Sequence, residues 1–274
     1  MQDIQIVPVT DKKLLKRFIL LPERLHGNDP AYIAPLHMER EEALGPKNPF
    51  FGHAEVQFWL AVKDGRDVGR ISAQIDTLAQ SLNPEAPGLF GMLAAEDDLG
   101  LFQTLLETAA GWLRARGMKV MQGPFNLNIN EETGALIDGF ASKPMLLMPH
   151  DLPYVARNLE KLGFAKAKDV IAYLYDIREE LPESVRRLLG RPLPPGITVR
   201  RMDMKNLAAE IKNVTSIFND AWSQNWGFVP LTEAETDYLS KSLKPLLHPR
   251  LTSLVERDGE PVAFMSARPL SLIH

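Results

Sequence analysis

Two Asp-Gly pairs, Asp64-Gly65 and Asp258-Gly259, each interrupt a run rich in β-branched and apolar residues. A two-residue Asp-Gly loop takes the left-handed turn that matches the twist of paired strands, so each pair dictates a tight hairpin. The surroundings of the two pairs run parallel: Ala61-Val62-Lys63-Asp64-Gly65 lies against Val255-Glu256-Arg257-Asp258-Gly259. What precedes each hairpin also repeats. Ile4–Val9 alternates apolar and polar residues as a half-buried strand does, and Asp11 is an N-cap for a helix over Lys12–Leu25. Pro22 predicts that this helix ends or kinks there. An acidic helix follows at His37–Leu44. In the second half, a strand at Ile197–Met202 leads to helices over Leu207–Trp222 and Glu233–Leu243, then to the strands around Asp258-Gly259. The chain therefore reads as a diverged duplication of one β-α-α-β-β plan.

The first copy goes on. Gly88–Ala94 predicts a strand and Leu101–Arg116 a helix stopped by Gly117. Lys119–Gly123 predicts a short strand, Leu152–Leu162 a helix closed by Gly163, and Val170–Tyr175 a last strand. The fold class is α/β (mixed α+β), with a central mixed sheet flanked by helices and then a second, incomplete unit. Residues 1–178 read as one domain, 179–196 as a charged and Pro-rich linker, and 197–274 as the opening half of another. An unclosed second sheet leaves a bare edge. That unit is expected to complete itself in a longer chain or against a second copy, as a homo-oligomer.

Composition narrows the function. The 274 residues are 45% hydrophobic and 24% charged with net charge −4, an average that does not suggest a basic face, so no nucleic-acid partner is expected. With no cysteine, thiolate nucleophiles, Cys-type zinc sites and disulfides are excluded. No apolar run approaches the roughly 20 residues of a transmembrane segment, and no secretory leader opens the chain, so the expectation is a cytoplasmic protein.

The element order, the Asp-Gly-x-x-Val-Gly hairpin and the late Leu159-Glu160-Lys161-Leu162-Gly163-Phe164 resemble the GNAT superfamily of acyl-CoA N-acyltransferases. More narrowly, the chain is similar to a bacterial group with two GNAT-like units in tandem. It shares Asp29-Pro30, Pro35-Leu36, Asn48-Pro49-Phe50-Phe51, Val68-Gly69-Arg70-Ile71, Gly123-Pro124-Phe125-Asn126, Glu132-Thr133-Gly134 and Asp138-Gly139-Phe140 with that group. The resemblance implies an acyl-CoA donor, an amine acceptor and no metal. It also implies a Gly-rich loop at a helix N-terminus for the donor's diphosphate. Here that place reads Ala94-Ala95-Glu96-Asp97-Asp98-Leu99-Gly100, three carboxylates where an anion would sit. The donor site is therefore expected beyond the first unit, in a C-terminal part outside this chain.

Candidate catalytic residues follow from the chemistry of amide formation. The amine needs a base, and His53 and His150 are candidates. Asn126, Asn128 and Glu131 follow Gly123-Pro124 at a strand's end, where amides could orient a carbonyl oxygen, though asparagine is equally a turn former. Tyr154 opens the late helix, where the resemblance implies a tyrosine acting on the departing thiolate. Asn219, Trp222, Asn225 and Trp226 gather amide and aromatic groups between two helices, on what the resemblance implies is the acceptor side. Arg40-Glu41-Glu42-Ala43-Leu44-Gly45 resembles the tail of a Nudix box without its upstream glycine and glutamate. The expected function is N-acyl transfer from an acyl thioester to an amine. A non-catalytic GNAT-like binding module is the alternative, and nucleotide pyrophosphohydrolysis a weaker one.

Overall fold

Alternation along the first hairpin decides the layers. The structure, a computed structural model, describes residues 4–173, 178–243, 247–248 and 250–267, and it divides into two compact units, Met1–Asp169 and Val170–His274. In the first, β1 (Gln5–Pro8), β2 (Ala54–Lys63), β3 (Arg66–Asp76), β4 (Gly88–Ala95) and β5 (Met121–Gln122) form one sheet in that order. Neighbours are antiparallel except β4 and β5, which are parallel. Asp64 and Gly65 turn the β2–β3 hairpin with φ of 53° and 74°, both positive as its tight turn requires.

One face of β3 presents Gly69, Ile71, Ala73 and Ile75. It packs with Trp59 and Phe90 against α4 (Leu99–Arg114) through Leu101, Phe102, Leu105 and Leu113. On the other face, Phe58 and Leu60 of β2 pack against Phe18 and Leu21 of α1 (Lys12–His26), with Phe50, Met92 and Leu127. The alternate residues of β3 are polar: Arg70, Ser72, Gln74 and Asp76. Ser72 and Gln74 are wholly buried, because α1 and the chain at 123–127 lie over them.

The first unit departs from the sequence expectation in three places. α1 neither ends nor breaks at Pro22. Proline there lacks the N–H that would bond Phe18 O, but Arg70 Nη1 donates to that carbonyl at 2.7 Å, so the helix keeps a partner for it. A short helix, α3 (Thr77–Leu82), follows β3 because Asp76 Oδ1 accepts from the Leu78 and Ala79 N–H groups. The strand expected over 170–175 is absent at residues 170–173, and its remainder lies outside the described residues. α2 (His37–Ala43) and α5 (Tyr154–Lys161) complete the unit.

In the second unit, β6 (Ile197–Arg201), β7 (Thr252–Arg257) and β8 (Glu260–Ser266) form an antiparallel sheet in chain order, with Met202, Leu207, Ile211 and Leu254 as its core. Leu207 and Ile211 come from α7 (Leu207–Trp222). Thr232 and Glu235 form a reciprocal capping box for α8 (Glu233–Leu243). A further helix, α6 (Glu183–Leu189), is exposed throughout and occupies part of the stretch read as linker.

Candidate functional site

Phe18, Pro22 and His26 recur at four-residue spacing, so they share the buried side of α1. His26 is its last residue. The chain then turns tightly, Asp29 N–H donating to His26 O at 2.7 Å and Tyr32 N–H to Asp29 O at 3.2 Å. This turn stacks the Tyr32 ring on the His26 imidazole, centroids 4.0 Å apart, and fixes Asp29 through a 2.9 Å bond from Ala31 N–H to Oδ1. The free oxygen, Oδ2, lies 2.8 Å from His150 Nε2 and 3.7 Å from His26 Nδ1. Both imidazoles are buried, their side chains 7% and 4% exposed. Burial and the neighbouring His150 lower the His26 pKa, while the hydrogen bond from His150 holds the Asp29 carboxyl low.

The same centre is closed from the other side by the chain after β5. Gln74 Nε2 donates to Phe125 O (2.7 Å) and Leu127 O (3.0 Å), and Phe125 N–H bonds Phe90 O at 2.7 Å. A bulge in β4 breaks the ladder between Arg70 and Ser72 and gives Met92 a φ of 49°. Asn126 Oδ1 takes the Met92 N–H at 2.7 Å, and its amide donates to Glu132 Oε2 at 2.7 Å; the other Glu132 oxygen binds Arg40. Arg70 has its Nε enclosed without a hydrogen-bond partner, and burial lowers its pKa.

Asp151 follows His150 and accepts from Leu136 N–H at 2.9 Å; burial raises its carboxyl to about 6. With His26, Leu93, Tyr154 and Val155 it lines a cavity of about 10 Å³, room for about one water. Tyr154 O–H donates to Ala95 O at 2.7 Å, and burial pushes the phenol up to about 12, so it keeps its proton at neutral pH. Donors, acceptors and a carboxyl near neutrality converge around this water-sized cavity.

Of the candidates named from sequence, Asn126, His150 and Tyr154 join this centre. His53 does not. Its Nδ1 lies 2.9 Å from Asp76 Oδ1 at the far end of β3, roughly 20 Å along the strand from Arg70. The chain at 126–131 is turned, not extended, so its asparagines do not point one way: Asn128 Oδ1 accepts from Asn130 N–H, and Glu131 is exposed on that turn. In the second unit, Asn219 clamps Leu231 through both its N–H and C=O, Asn225 closes a turn onto Trp222 O, and Trp222 and Trp226 are about half exposed.

His26, Tyr32 and Arg70 escaped notice as site residues. The signal for Arg70 was the alternation Arg70-Ser72-Gln74-Asp76, which reads as a solvent face until the cover at 123–127 is known. Asp29, Arg70, Asn126 and Glu132 all lie in segments that carry the family resemblance, and the fold draws those segments together.

At the start of α4, Asp98 Oδ1 accepts from the Gly100 and Leu101 N–H groups. Asp97 is bound by Arg157 and Asn158, which lower its pKa, and Glu96 by Arg66 and Arg24. Two of the helix-terminal donors an anion would use are thus engaged by Asp98.

Over 260 residues the chain is 52% identical to the bacterial ceramide synthase of Caulobacter vibrioides (strain NA1000 / CB15N), across 94% of this chain and 68% of that protein. The chain belongs to the family of that synthase. Protein YghO of Escherichia coli (strain K12) is 39% identical over 259 residues, 94% of this chain and 66% of its own. Among solved structures, a tandem GNAT protein from the clavulanic acid biosynthesis pathway matches 97% of this chain and 76% of its own with a TM-score of 0.50, at 13% identity. That likeness shows the fold: a GNAT-like sheet with flanking helices, followed by a second, smaller sheet. No protein-family profile matches. Among the described residues, no helix of this family member is long and apolar enough to cross a membrane.

Proposed function

We propose that this chain belongs to an N-acyltransferase that joins a fatty acyl group, delivered as an acyl-CoA thioester, to the amine of a long-chain amino alcohol, giving a ceramide-type amide. The 52% identity to a ceramide synthase supports the acceptor class. The observation that carries the reading is an amphiphilic site. Two of the segments that build the buried polar centre, 29–40 and 126–151, also carry exposed apolar side chains: Ile33, Leu36 and Met38 on one, Ile137, Met145, Leu146 and Leu147 on the other. In this reading the acceptor's amine approaches the polar centre while its hydrocarbon tail lies along those exposed apolar side chains.

In the transfer, the amine nitrogen attacks the thioester carbonyl, a C–N bond forms, the C–S bond breaks, and the thiol leaves with a proton. Asp151, on the cavity wall beside His26 and Tyr154, is the group for the amine's proton. Asn126 and His150 hold the surrounding backbone and carboxylates in place, and Tyr154 ties α5 to β4. The donor's diphosphate binds somewhere other than the start of α4, where Asp98 takes the free N–H groups.

The test is mass spectrometry of products after incubating the full-length protein with palmitoyl-CoA and sphinganine. The expected product is the N-acyl amide, with Asp151→Asn lowering kcat about a hundredfold or more at an unchanged acceptor KM. Absence of amide from folded protein, or a fully active Asp151→Asn, overturns the reading.

A further inference from the structure

We propose that His26, Asp29 and His150 form a binding site for one divalent metal ion of the zinc class, although the sequence pointed to no metal. The three ligand atoms lie within 4.8 Å of one another, two neutral-capable imidazoles around one carboxylate oxygen. A tetrahedral zinc centre with bonds near 2.1 Å needs ligand atoms about 3.4 Å apart. The present spacings of 2.8 and 3.7 Å to Asp29 bracket that value, and the two histidine ligand nitrogens lie within 4.8 Å of each other, so side-chain shifts of about an ångström close the site.

A simple hydrogen-bonded network accounts for less of what is seen. His26 is 8% exposed, yet its Nδ1 has no hydrogen-bond partner and faces Asp29 Oδ2. An imidazole nitrogen enclosed in this way loses its hydration without replacement. A metal ion supplies the missing partner. The outer contacts are those that metal ligands use: Ala31 N–H holds the non-ligating Asp29 oxygen, and Tyr32 stacks on the His26 ring and sets its plane. His26 also lines the water-sized cavity shared with Asp151 and Tyr154, whereas Asp29 and His150 lie outside its lining. Two nitrogens and one oxygen favour zinc or cobalt over magnesium or calcium, which take oxygen shells. Arg70 and Arg40 oppose a cation here; Glu132 pairs with Arg40, and the carboxylates of Asp29 and Asp151 stand against Arg70.

The experiment needs no enzymatic activity and is therefore separate from the acyl-transfer reading. Chelator-stripped protein is titrated with Co²⁺ and then Zn²⁺, following visible absorbance and metal content. One Co²⁺ per chain is expected, with the intense d–d bands of a four-coordinate site that Zn²⁺ abolishes. His26→Gln and His150→Gln should weaken binding more than about a hundredfold, while His37→Gln, on an exposed residue paired with Glu23, should leave it unchanged. Asp29→Asn keeps the side-chain size and serves if a histidine variant does not fold. No stoichiometric binding by folded wild-type protein, or bands that persist in the folded ligand variants, overturns the proposal.

Discussion

The two hairpins begin alike and end in different surroundings. In each, Asp-Gly turns with two positive φ angles, and in each the register shifts just before the turn, between Ala61 and Val62 and between Val255 and Glu256. The second strand then diverges. β3 gains β4 on its free edge, α4 on one face, and α1 with the chain at 123–127 on the other. β8 is exposed along most of its length, and among the described residues its only strand neighbour is β7. The same local plan thus yields a strand buried on both faces in one unit and a mostly exposed one in the other. Covering a strand's polar face is what turned Arg70, Ser72 and Gln74 from surface residues into interior ones. A polar interior of this kind requires paired groups, and it is where the candidate site formed.

The sharpest way to break the comparison is to add one methyl group. A Cβ on Gly91 would stand 1.6 Å from Phe125 O, against backbone that cannot move aside. Gly91→Ala should cost more than about 4 kcal/mol, enough to unfold the first unit. Gly65 and Gly259 have nothing within 4 Å of an added Cβ, but both hold positive φ. Alanine at either should cost only about 1 kcal/mol, equally in the two hairpins. Chemical denaturation with peptide-resolved hydrogen exchange reads both units at once. A mild Gly91→Ala would mean that the cover at 123–127 is not held against β4.

The next effect lies where helix and strand meet. Arg70→Met leaves Phe18 O without a donor, because Pro22 has no N–H, and should cost about 2 kcal/mol. Pro22→Ala restores the helix's own donor to that carbonyl. In the Pro22→Ala background, Arg70→Met should therefore cost about 1 kcal/mol less, a coupling that a double-mutant cycle on stability measures directly. Additive costs would show that the guanidinium and the proline do not act on one carbonyl.

These two cases also show what the sequence could carry. Elements with strong local signals were legible: both Asp-Gly turns, α7 over Leu207–Trp222, and α8 over Glu233–Leu243. Pro22 misled because its rule is local, and the donor that rescues Phe18 O stands 48 residues from the proline in sequence. The candidate site was half legible for the same reason. Asn126, His150 and Tyr154 carry recognisable chemistry, but His26 lies just past the helix read over Lys12–Leu25. Only the contact across 121 residues between His150 and Asp29 shows what lies beside it. Asn219 failed in the other direction, since an amide that looked free for substrate clamps the backbone of Leu231.

The smallest predicted effect separates the units by pH. Tyr154 keeps its proton in the folded first unit up to about pH 12, against an ordinary value of 10.0, chiefly through burial. Above pH 10 the unfolded chain therefore holds fewer protons on this group than the native chain, and stability falls as pH rises toward 12. The side chain is only partly buried, so solvent screening limits the loss to about 1 kcal/mol. Hydrogen exchange across that range should show the first unit weakening more in the wild type than in Tyr154→Phe. The slope of the second unit should be the same in both proteins. Identical slopes for the first unit in the two proteins would mean that the phenol is not held neutral against Ala95 O. The bond from α5 to the end of β4 would then contribute packing alone.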